Sequence, residues 1–180
     1  LNTAPFMIYF GEEVGERGMD EEGFSGKDGR TTIFDWWSIS SIRRLRKLIS
    51  SGAYRSTSVS GLVKAGLRKE EAEVFLRFSK AIRLAAEEDA IRKGTTCDLC
   101  YCNMSSDGFD KNRHYAFLRD FEEHTLLIAA NFSNRESVMK LVIPEHAFDW
   151  MGIPTTAALH PGKVIEVKVA PMDAVVLTLI

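Results

Sequence analysis

Carboxylate side chains are the first residues that could do chemistry, because adjacent acids recur along the chain. They occur as Glu12-Glu13, Glu70-Glu71 and Glu122-Glu123. Two carboxyl groups hydrolyse a glycosidic bond when they face it from roughly 5–5.5 Å apart with retention, or roughly 6.5–9.5 Å with inversion. Sequence neighbours point to opposite faces of a strand and do not face each other on a helix. We therefore expect solvated charge at these pairs and assign no catalytic residue within the chain.

The three cysteines, Cys97, Cys100 and Cys102, form one C-x-x-C-x-C cluster. An odd number in one short stretch does not make a disulfide framework. A zinc site would need a fourth ligand, for which His114 is the nearest histidine in sequence. Small buried apolar side chains on a strand fit cysteine better. We assign no metal site.

Several short motifs resemble functional signatures but are incomplete. Residues 23–27 lack the last glycine of a nucleophile elbow, and Phe24 stands where a phosphate-binding loop needs lysine. Asn103 begins a calcium-loop pattern, but His114 occupies the twelfth position instead of glutamate, so a hairpin turn is predicted. Asn103 and Asn131 also begin glycosylation sequons, and the second is expected to end a strand.

The aromatic pair Trp36-Trp37 is the place where exposed rings could stack on a flat apolar ligand such as the face of a sugar. Phe34 lies beside this pair and Arg30 lies upstream. The alternative is that one or both rings fold into the core. Arg30, Trp36 and Trp37 are the candidate substrate-binding residues.

Composition limits the partners of the chain. Its 180 residues carry 23 Lys and Arg against 25 Asp and Glu, a net charge of −2, and 45% are hydrophobic. A nucleic-acid or anionic-membrane binder would show a basic excess, so neither partner is expected. The longest apolar runs, residues 4–10 and 174–180, fall short of the ~20 residues of a membrane helix. Because the chain begins at Leu1, we expect it to have been cut from a longer one, and its compartment stays open.

The elements that must position these residues change in type along the chain. Residues 4–10 are a continuous apolar run, which predicts a strand buried on both faces. A long loop follows over residues 12–30, then a helix over 41–50 and a Ser- and Gly-rich connector over 50–66. The strongest helix prediction is residues 69–93, with a broad apolar stripe and Gly94 at the C-cap.

Short β-type runs follow Gly94. They cover residues 114–121, 125–132, 138–144, 163–170 and 173–180, with a sixth predicted at 97–103. Turn signals separate them, a pattern typical of a small antiparallel sandwich. Ile165, Val167 and Val169 alternate with polar or exposed positions, which indicates one buried face. The predicted domains are residues 1–94 and 95–180, and the predicted class is α+β.

Several stretches of the chain resemble a known family. Residues 4–15, APFMIYFGEEVG, resemble the last barrel strand of the α-amylase family of glycoside hydrolases, where a pattern close to G-x-P-x-I-Y-Y-G-x-E-x-G is typical. Ala4 replaces the first Gly, Phe10 replaces the second Tyr, and Glu13 falls on the Glu of the family. Further similarity to the stretch after that strand, to the eighth barrel helix and to the first strands of the C-terminal domain covers residues 28–36, 75–94, 114–119 and 127–134.

The resemblance implies one strand and a helical segment left from a (β/α)₈ barrel, followed by a Greek-key β-sandwich as C-terminal domain. The catalytic Asp, Glu and second Asp of the family end the fourth, fifth and seventh barrel strands, so none can be assigned here. Active sites of such barrels lie in the βα loops. Residues 11–37 would therefore edge the substrate cleft, with Glu13 structural or at its rim. No cofactor is expected in this segment, while calcium would bind in the missing part of the parent.

The first hypothesis is therefore the C-terminal segment of an α-amylase-type hydrolase acting on α-glucans, inactive when isolated. Loss of the barrel partners would favour self-association of the fragment. A second hypothesis is a carbohydrate-binding β-sandwich module that uses Trp36-Trp37, or Tyr115, Phe117 and Trp150. A third is a protein-interaction sandwich. Bond specificity, chain-length preference, hydrolysis against transglycosylation, the role of residues 38–66 and the oligomeric state stay open.

Overall fold

The chain folds as two compact units that divide between Ala86 and Glu87. A computed structural model describes residues 7–9, 11–16 and 39–180. Over these ranges the chain is α+β, with antiparallel sheets and six α-helices. The predicted limit between residues 94 and 95 falls inside the second unit, between its first helix and its first strand.

The first unit is helical over its described residues. Its helices are α1 (Ser40–Ser50), α2 (Val59–Lys64) and α3 (Lys69–Glu87), with 3₁₀ turns at Glu12–Val14 and Ala53–Arg55. Helix α1 forms because Ile42, Leu45 and Leu48 recur on one face, and all three are buried. They pack with Val14, Leu62, Leu67 and Ala72 in a small core. The predicted helix over residues 41–50 is confirmed and begins one residue earlier.

The predicted helix over residues 69–93 is wrong in its continuity. Helix α3 ends at Glu87, Glu88 has an extended backbone, and the short helix α4 (Asp89–Arg92) follows. The Glu88 carboxylate accepts a hydrogen bond from the Ala90 amide at 3.4 Å and so caps α4. Periodicity misses this break because the apolar spacing continues through it.

Two other predictions for the first unit need correction. The connector predicted over residues 50–66 contains α2, whose N-cap Ser58 accepts a hydrogen bond from the Gly61 amide at 3.1 Å. The strand predicted over residues 4–10 is not formed at residues 7–9, where Met7 is 82% exposed. Residues 4–6 and 10 lie outside the described residues. An apolar run becomes a strand only where neighbouring strands accept its hydrogen bonds.

The second unit contains two antiparallel sheets. Strands β1 (Thr95–Asp98), β2 (His114–Phe121), β3 (His124–Asn131) and β6 (Asp173–Thr178) form one sheet in the order β1-β2-β3-β6. Strands β4 (Ser137–Val142) and β5 (Val164–Val169) form the other. Five strands predicted from the sequence are confirmed, with ends shifted by no more than two residues.

The sixth predicted strand, over residues 97–103, is only half right. Strand β1 ends at Asp98, and the chain then enters helix α5 (Cys100–Asn103). The Asp98 carboxylate accepts a hydrogen bond from the Cys100 amide at 2.6 Å, which turns the chain out of the sheet. Helix α6 (Glu145–Met151) was not predicted.

Both sheets contribute buried side chains to one core. Leu118 pairs with Leu127 in the first sheet, and Met139 pairs with Val167 in the second. All four belong to the same buried cluster. The alternation predicted for β5 is confirmed, because Val167 and Val169 are buried and Ile165 packs against the same cluster.

Gly94 connects α4 to β1 where no side chain would fit. A Cβ atom on this residue would lie 2.3 Å from the Ala90 carbonyl oxygen and 2.5 Å from the Asp120 carbonyl oxygen. Glycine at this position therefore allows α4 to approach the sheet closely.

Arg119 on β2 is the largest fully buried side chain of the described residues, with 1% exposed. Its Nε donates to the Ala90 carbonyl at 2.9 Å, and its other nitrogens donate to the Ile91 carbonyl and the Thr96 hydroxyl. The two carbonyls belong to α4, whose short length leaves them without helical partners. Burial lowers the pKa of Arg119. No carboxylate of a described residue pairs with it, so these neutral acceptors alone solvate the charge.

Over the described ranges, no helix is both long enough and apolar enough to span a membrane.

We expect Arg119→Leu to destabilise the second unit by roughly 2–4 kcal/mol, because three buried acceptors lose their donor. Urea unfolding followed by circular dichroism measures this change. Arg92→Leu is the matched control, since Arg92 makes only an exposed ion pair with Asp89, worth less than about 1 kcal/mol. Equal losses in both variants would contradict the role of Arg119.

Candidate functional site

The predicted substrate-binding residues Arg30, Trp36 and Trp37 lie outside the described residues. Their role stays a prediction. The described parts of the predicted cleft edge, residues 11–37, are the turn over residues 11–16.

The turn over residues 11–16 is held by its own acidic side chains. The Glu12 carboxylate accepts from the Tyr9 amide at 3.1 Å, and the Glu13 carboxylate accepts from the Gly11 amide at 3.0 Å. Gly11 has φ of +92°, and a Cβ there would lie 2.7 Å from the Glu16 Cβ. Two independent constraints therefore require glycine at this position. Glu13 stabilises the turn here.

A cleft of about 440 Å³ lies beside this turn. It is lined by the C-terminal half of the turn, by α1, by Arg68 just before α3 and by α3 itself. The lining residues are Val14, Gly15, Glu16, Ser40, Ser41, Arg44, Arg68, Glu70, Glu71 and Val74. The size suits a small ligand. Both acidic and basic side chains line the cleft.

Arg44 and Glu71, two of the charged groups of the cleft, are already paired with each other. Arg44 donates from Nε to Glu71 at 2.8 Å and makes a second bond from its terminal nitrogen, while the Arg68 amide donates to the same carboxylate at 2.9 Å. Burial acts to raise the pKa of Glu71, but these donors outweigh it and hold the pKa below its usual value. The hydrogen bond with Glu71 raises the pKa of Arg44. Both groups therefore stay charged near neutral pH.

The Glu16 carboxylate accepts a hydrogen bond from the Ser41 hydroxyl. With Glu71 bound to Arg44, the described lining residues leave no pair of unengaged carboxylates for acid and base roles. The cleft can bind polar groups, but its described residues do not form a glycosidase pair.

His114 and Ser137 are in contact, as a serine nucleophile and its general base would be. His114 Nε2 lies 3.0 Å from the Ser137 hydroxyl, while Nδ1 accepts from the Asp110 amide at 2.9 Å. Because Nδ1 is an acceptor, the neutral ring carries its proton on Nε2 and donates it to Ser137. The ring therefore cannot take the proton of that hydroxyl, and a serine nucleophile is not formed.

The prediction of small buried apolar side chains on a strand is confirmed only for Cys97, which is buried on β1. Cys100 and Cys102 belong to α5 and are partly buried against the core that contains Cys97, and all three are free thiols. Burial raises the pKa of Cys100 to about 11 and also raises the pKa of Cys97 and Cys102. Among the described residues, no group of three or more His, Cys, Asp or Glu could hold a metal ion.

The asparagines of both sequons are buried. Asn103 donates to the carbonyls of Leu99 and Val142 and accepts from the Val142 amide at 2.8 Å, joining α5 to β4. Asn131 ends β3, as predicted, and its amide donates to the Arg135 carbonyl at 2.7 Å. Neither side chain can carry a glycan in the folded chain. The turn predicted to begin at Asn103 begins one residue later, because Asn103 ends α5 and residues 104–108 form turns and a bend before β2.

The aromatic residues named for sugar stacking differ in exposure. Phe117 is only 6% exposed and is therefore not an available platform, while Tyr115 is 39% and Trp150 is 63% exposed. Sequence reasoning missed Tyr101, which is 49% exposed on α5 and whose hydroxyl hydrogen-bonds to His146 Nε2. Only the fold brings these two residues together, since they are 45 positions apart.

We expect the second unit to lose stability as the pH falls below the ordinary histidine pKa of about 6.5. Burial lowers the pKa of His114, with Asp110 acting in the opposite direction. The unfolded chain then binds the proton better, so the contribution of His114 is present above about pH 6.5 and is lost below it. Urea midpoints from about pH 5 to about pH 7.5 measure this slope.

His114→Gln should flatten that slope, whereas His160→Gln, at an exposed position, should leave it unchanged. A slope that is identical in all three proteins would contradict the assignment.

We expect slow alkylation of all three native thiols at about pH 8, because little thiolate is present. Iodoacetamide labelling followed by mass spectrometry measures the rate, and urea should make all three sites react quickly. Ser105→Cys adds an exposed thiol as an internal control. Rapid labelling of Cys100 in the folded chain would contradict the raised pKa of this thiol.

Comparison with known proteins adds no family assignment: no protein-family model matches the chain, and no curated protein matches it. The likeness to α-amylases rests on the motifs quoted above.

Proposed function

We propose that the chain is the C-terminal segment of an α-amylase-type glycoside hydrolase acting on α-glucans such as starch and maltooligosaccharides. It supplies the last helix of a (β/α)₈ barrel, residues 4–10 that would form the last strand only beside the barrel strands of the parent, and a Greek-key β-sandwich domain. Its role is accessory and structural. The catalytic carboxylates belong to the rest of the parent enzyme.

The observation that carries this proposal is the incomplete burial of α3. Of its 19 residues only Glu71 and Ala72 are buried. Phe78, Ile82 and Ala85 follow one another at helical spacing, yet Ile82 is 44% exposed and the other two are half-buried. A helix with such an apolar stripe needs a partner surface. The parallel sheet and neighbouring helices of a barrel are the occupant that we assign to this face.

The carboxylates in and beside the cleft already accept hydrogen bonds within the chain, which supports a non-catalytic role. Glu71 is bound by Arg44, Glu16 by Ser41, and Glu13 by its own turn. The bonds of Glu13 and Glu16 hold residues 11–16, the described part of the loop that would edge the substrate cleft of the parent. In that parent, an Asp nucleophile and a Glu acid/base would act by retaining double displacement.

The antiparallel sheets of the second unit are compatible with the proposed sandwich domain. Strands from both sheets contribute to one core.

We expect the purified chain to release no reducing sugar from maltoheptaose or soluble starch, because its described residues form no catalytic carboxyl pair.

We also expect light scattering to detect self-association through the exposed stripe of α3. Ile82→Glu should lower the associated fraction, since it places a charge at the centre of the stripe.

Lys80→Glu changes the charge of α3 outside the stripe and serves as the control. Hydrolysis of α-1,4-glucan by the chain would overturn the proposal. So would a strictly monomeric chain at high concentration, since its apolar stripe would then need no partner.

A further inference from the structure

The charges of the chain are segregated along the sequence, although its net charge is only −2. Residues 39–86 contain eleven Lys and Arg against three Asp and Glu, a net charge of +8, and no acidic residue stands between Asp35 and Glu70. Residues 87–180 contain nine Lys and Arg against fourteen Asp and Glu, a net charge of −5. Basic charge therefore accumulates on the helices of the first unit and acidic charge on the second unit.

Four of the cations share one exposed surface, which we call the basic face. Arg46 and Lys47 lie on the side of α1 that points away from its buried residues. Arg55 ends the 3₁₀ turn that packs against α1 and α2, and Lys64 ends α2. All four are exposed, and the Arg55 guanidinium lies over the Tyr54 ring at 5.2 Å.

The cations of the basic face are unpaired within the described part of the chain. No ion pair joins any of them to a carboxylate of a described residue, whereas Arg44 on the adjoining side of α1 is held by Glu71. Charge of one sign gathered on a small surface repels itself and attracts a surface of the opposite sign. The basic face thus suits an acidic partner.

Complementary charge lies at the tip of the β2–β3 hairpin. Glu122 and Glu123 form its turn, with φ of 49° and 67°, and both are exposed. Several other carboxylates of the second unit are bound by a lysine or arginine, as at Asp89, Asp107 and Glu136. No cation among the described residues pairs with the two turn glutamates, which we call the acidic hairpin.

The second unit is the largest source of acidic charge in the sequence. Residues 17–38, which lie outside the described ranges, contain three Lys and Arg against five Asp and Glu, a net charge of only −2. A nucleic acid would be attracted by the basic face but repelled by the net negative charge of the whole chain. Another copy of the chain brings an acidic surface of its own.

We infer that the basic face docks on the acidic hairpin of a second copy, so that the chain self-associates through complementary charge. The two surfaces differ, so the contact is heterologous and joins copies head to tail. Each exposed ion pair contributes little, so the association is weak and needs several pairs together. The contact uses no residue of the α3 stripe and does not rest on the proposed function.

Light scattering over a range of protein concentrations tests the inference, with Ile82→Gln in every protein to weaken the α3 stripe without adding a charge. We expect the association constant to fall by about tenfold or more as NaCl rises from about 20 mM to about 500 mM, because screening shortens the reach of each charge. A chain that is monomeric at low salt would overturn the inference, as would an association constant that salt leaves unchanged.

Charge reversal locates the two surfaces. Arg46→Glu with Lys47→Glu should abolish the low-salt association, and so should Glu122→Lys with Glu123→Lys. Both reversals in one chain should restore it, because the charges are complementary again. A mixture of the two single-surface variants should also form complexes that neither forms alone. Failure of both restorations, in variants that circular dichroism shows to be folded, would overturn the inference.

Matched controls change the same number of charges elsewhere. Lys80→Glu with Arg83→Glu reverses two cations on α3, and Glu145→Lys with Asp149→Lys reverses two acids on α6. Each should change the association constant much less than the reversal it matches, and an equal effect would assign the association to net charge alone. Tighter binding of a DNA duplex of about 20 bp at about 150 mM NaCl would make nucleic acid the partner instead.

The proposed function is judged by separate measurements. It depends on the hydrolysis assay and on association through the α3 stripe, which persists at about 500 mM NaCl because salt does not screen apolar contacts. Failure of the charge reversals leaves both of these results unchanged.

Discussion

The guanidinium of Arg119 is buried against the carbonyl groups of a four-residue helix, and this contact dictates how the second unit begins. Because α4 is too short to satisfy its own last carbonyls, its existence depends on the donors that β2 supplies. That docking brings α4 so near to β2 that residue 94 must be glycine. It also explains why the chain breaks at Glu88 although the apolar pattern would have allowed a longer helix.

Other buried polar groups of the second unit work in the same way. Asn103 binds backbone groups of β4, and the Asn131 amide donates to the Val169 carbonyl of β5. His114 accepts from one loop while it donates to Ser137. Their hydrogen bonds stabilise the fold. Residues whose types suggested glycosylation, calcium binding or a nucleophile are therefore fixed parts of the core, because a buried polar group must be satisfied.

The two units differ in what they leave uncovered. The second unit has a continuous core to which both of its sheets contribute. The first has a small core around α1 and an apolar stripe on α3 that stays partly open. Such a stripe suits a packed protein surface, which is what the proposed function supplies.

Local sequence patterns are enough to predict most elements. The spacing of Ile42, Leu45 and Leu48 predicts α1, and branched residues separated by turn signals predict five strands. Alternation in β5 even gave its buried face, since one side of a strand must avoid water. Three features are visible only in the tertiary structure: β6 pairs with β3, Glu88 interrupts a helix, and Tyr101 hydrogen-bonds to His146. These outcomes depend on contacts between residues far apart in the chain. Local periodicity reports which face is apolar, but not which surface covers it.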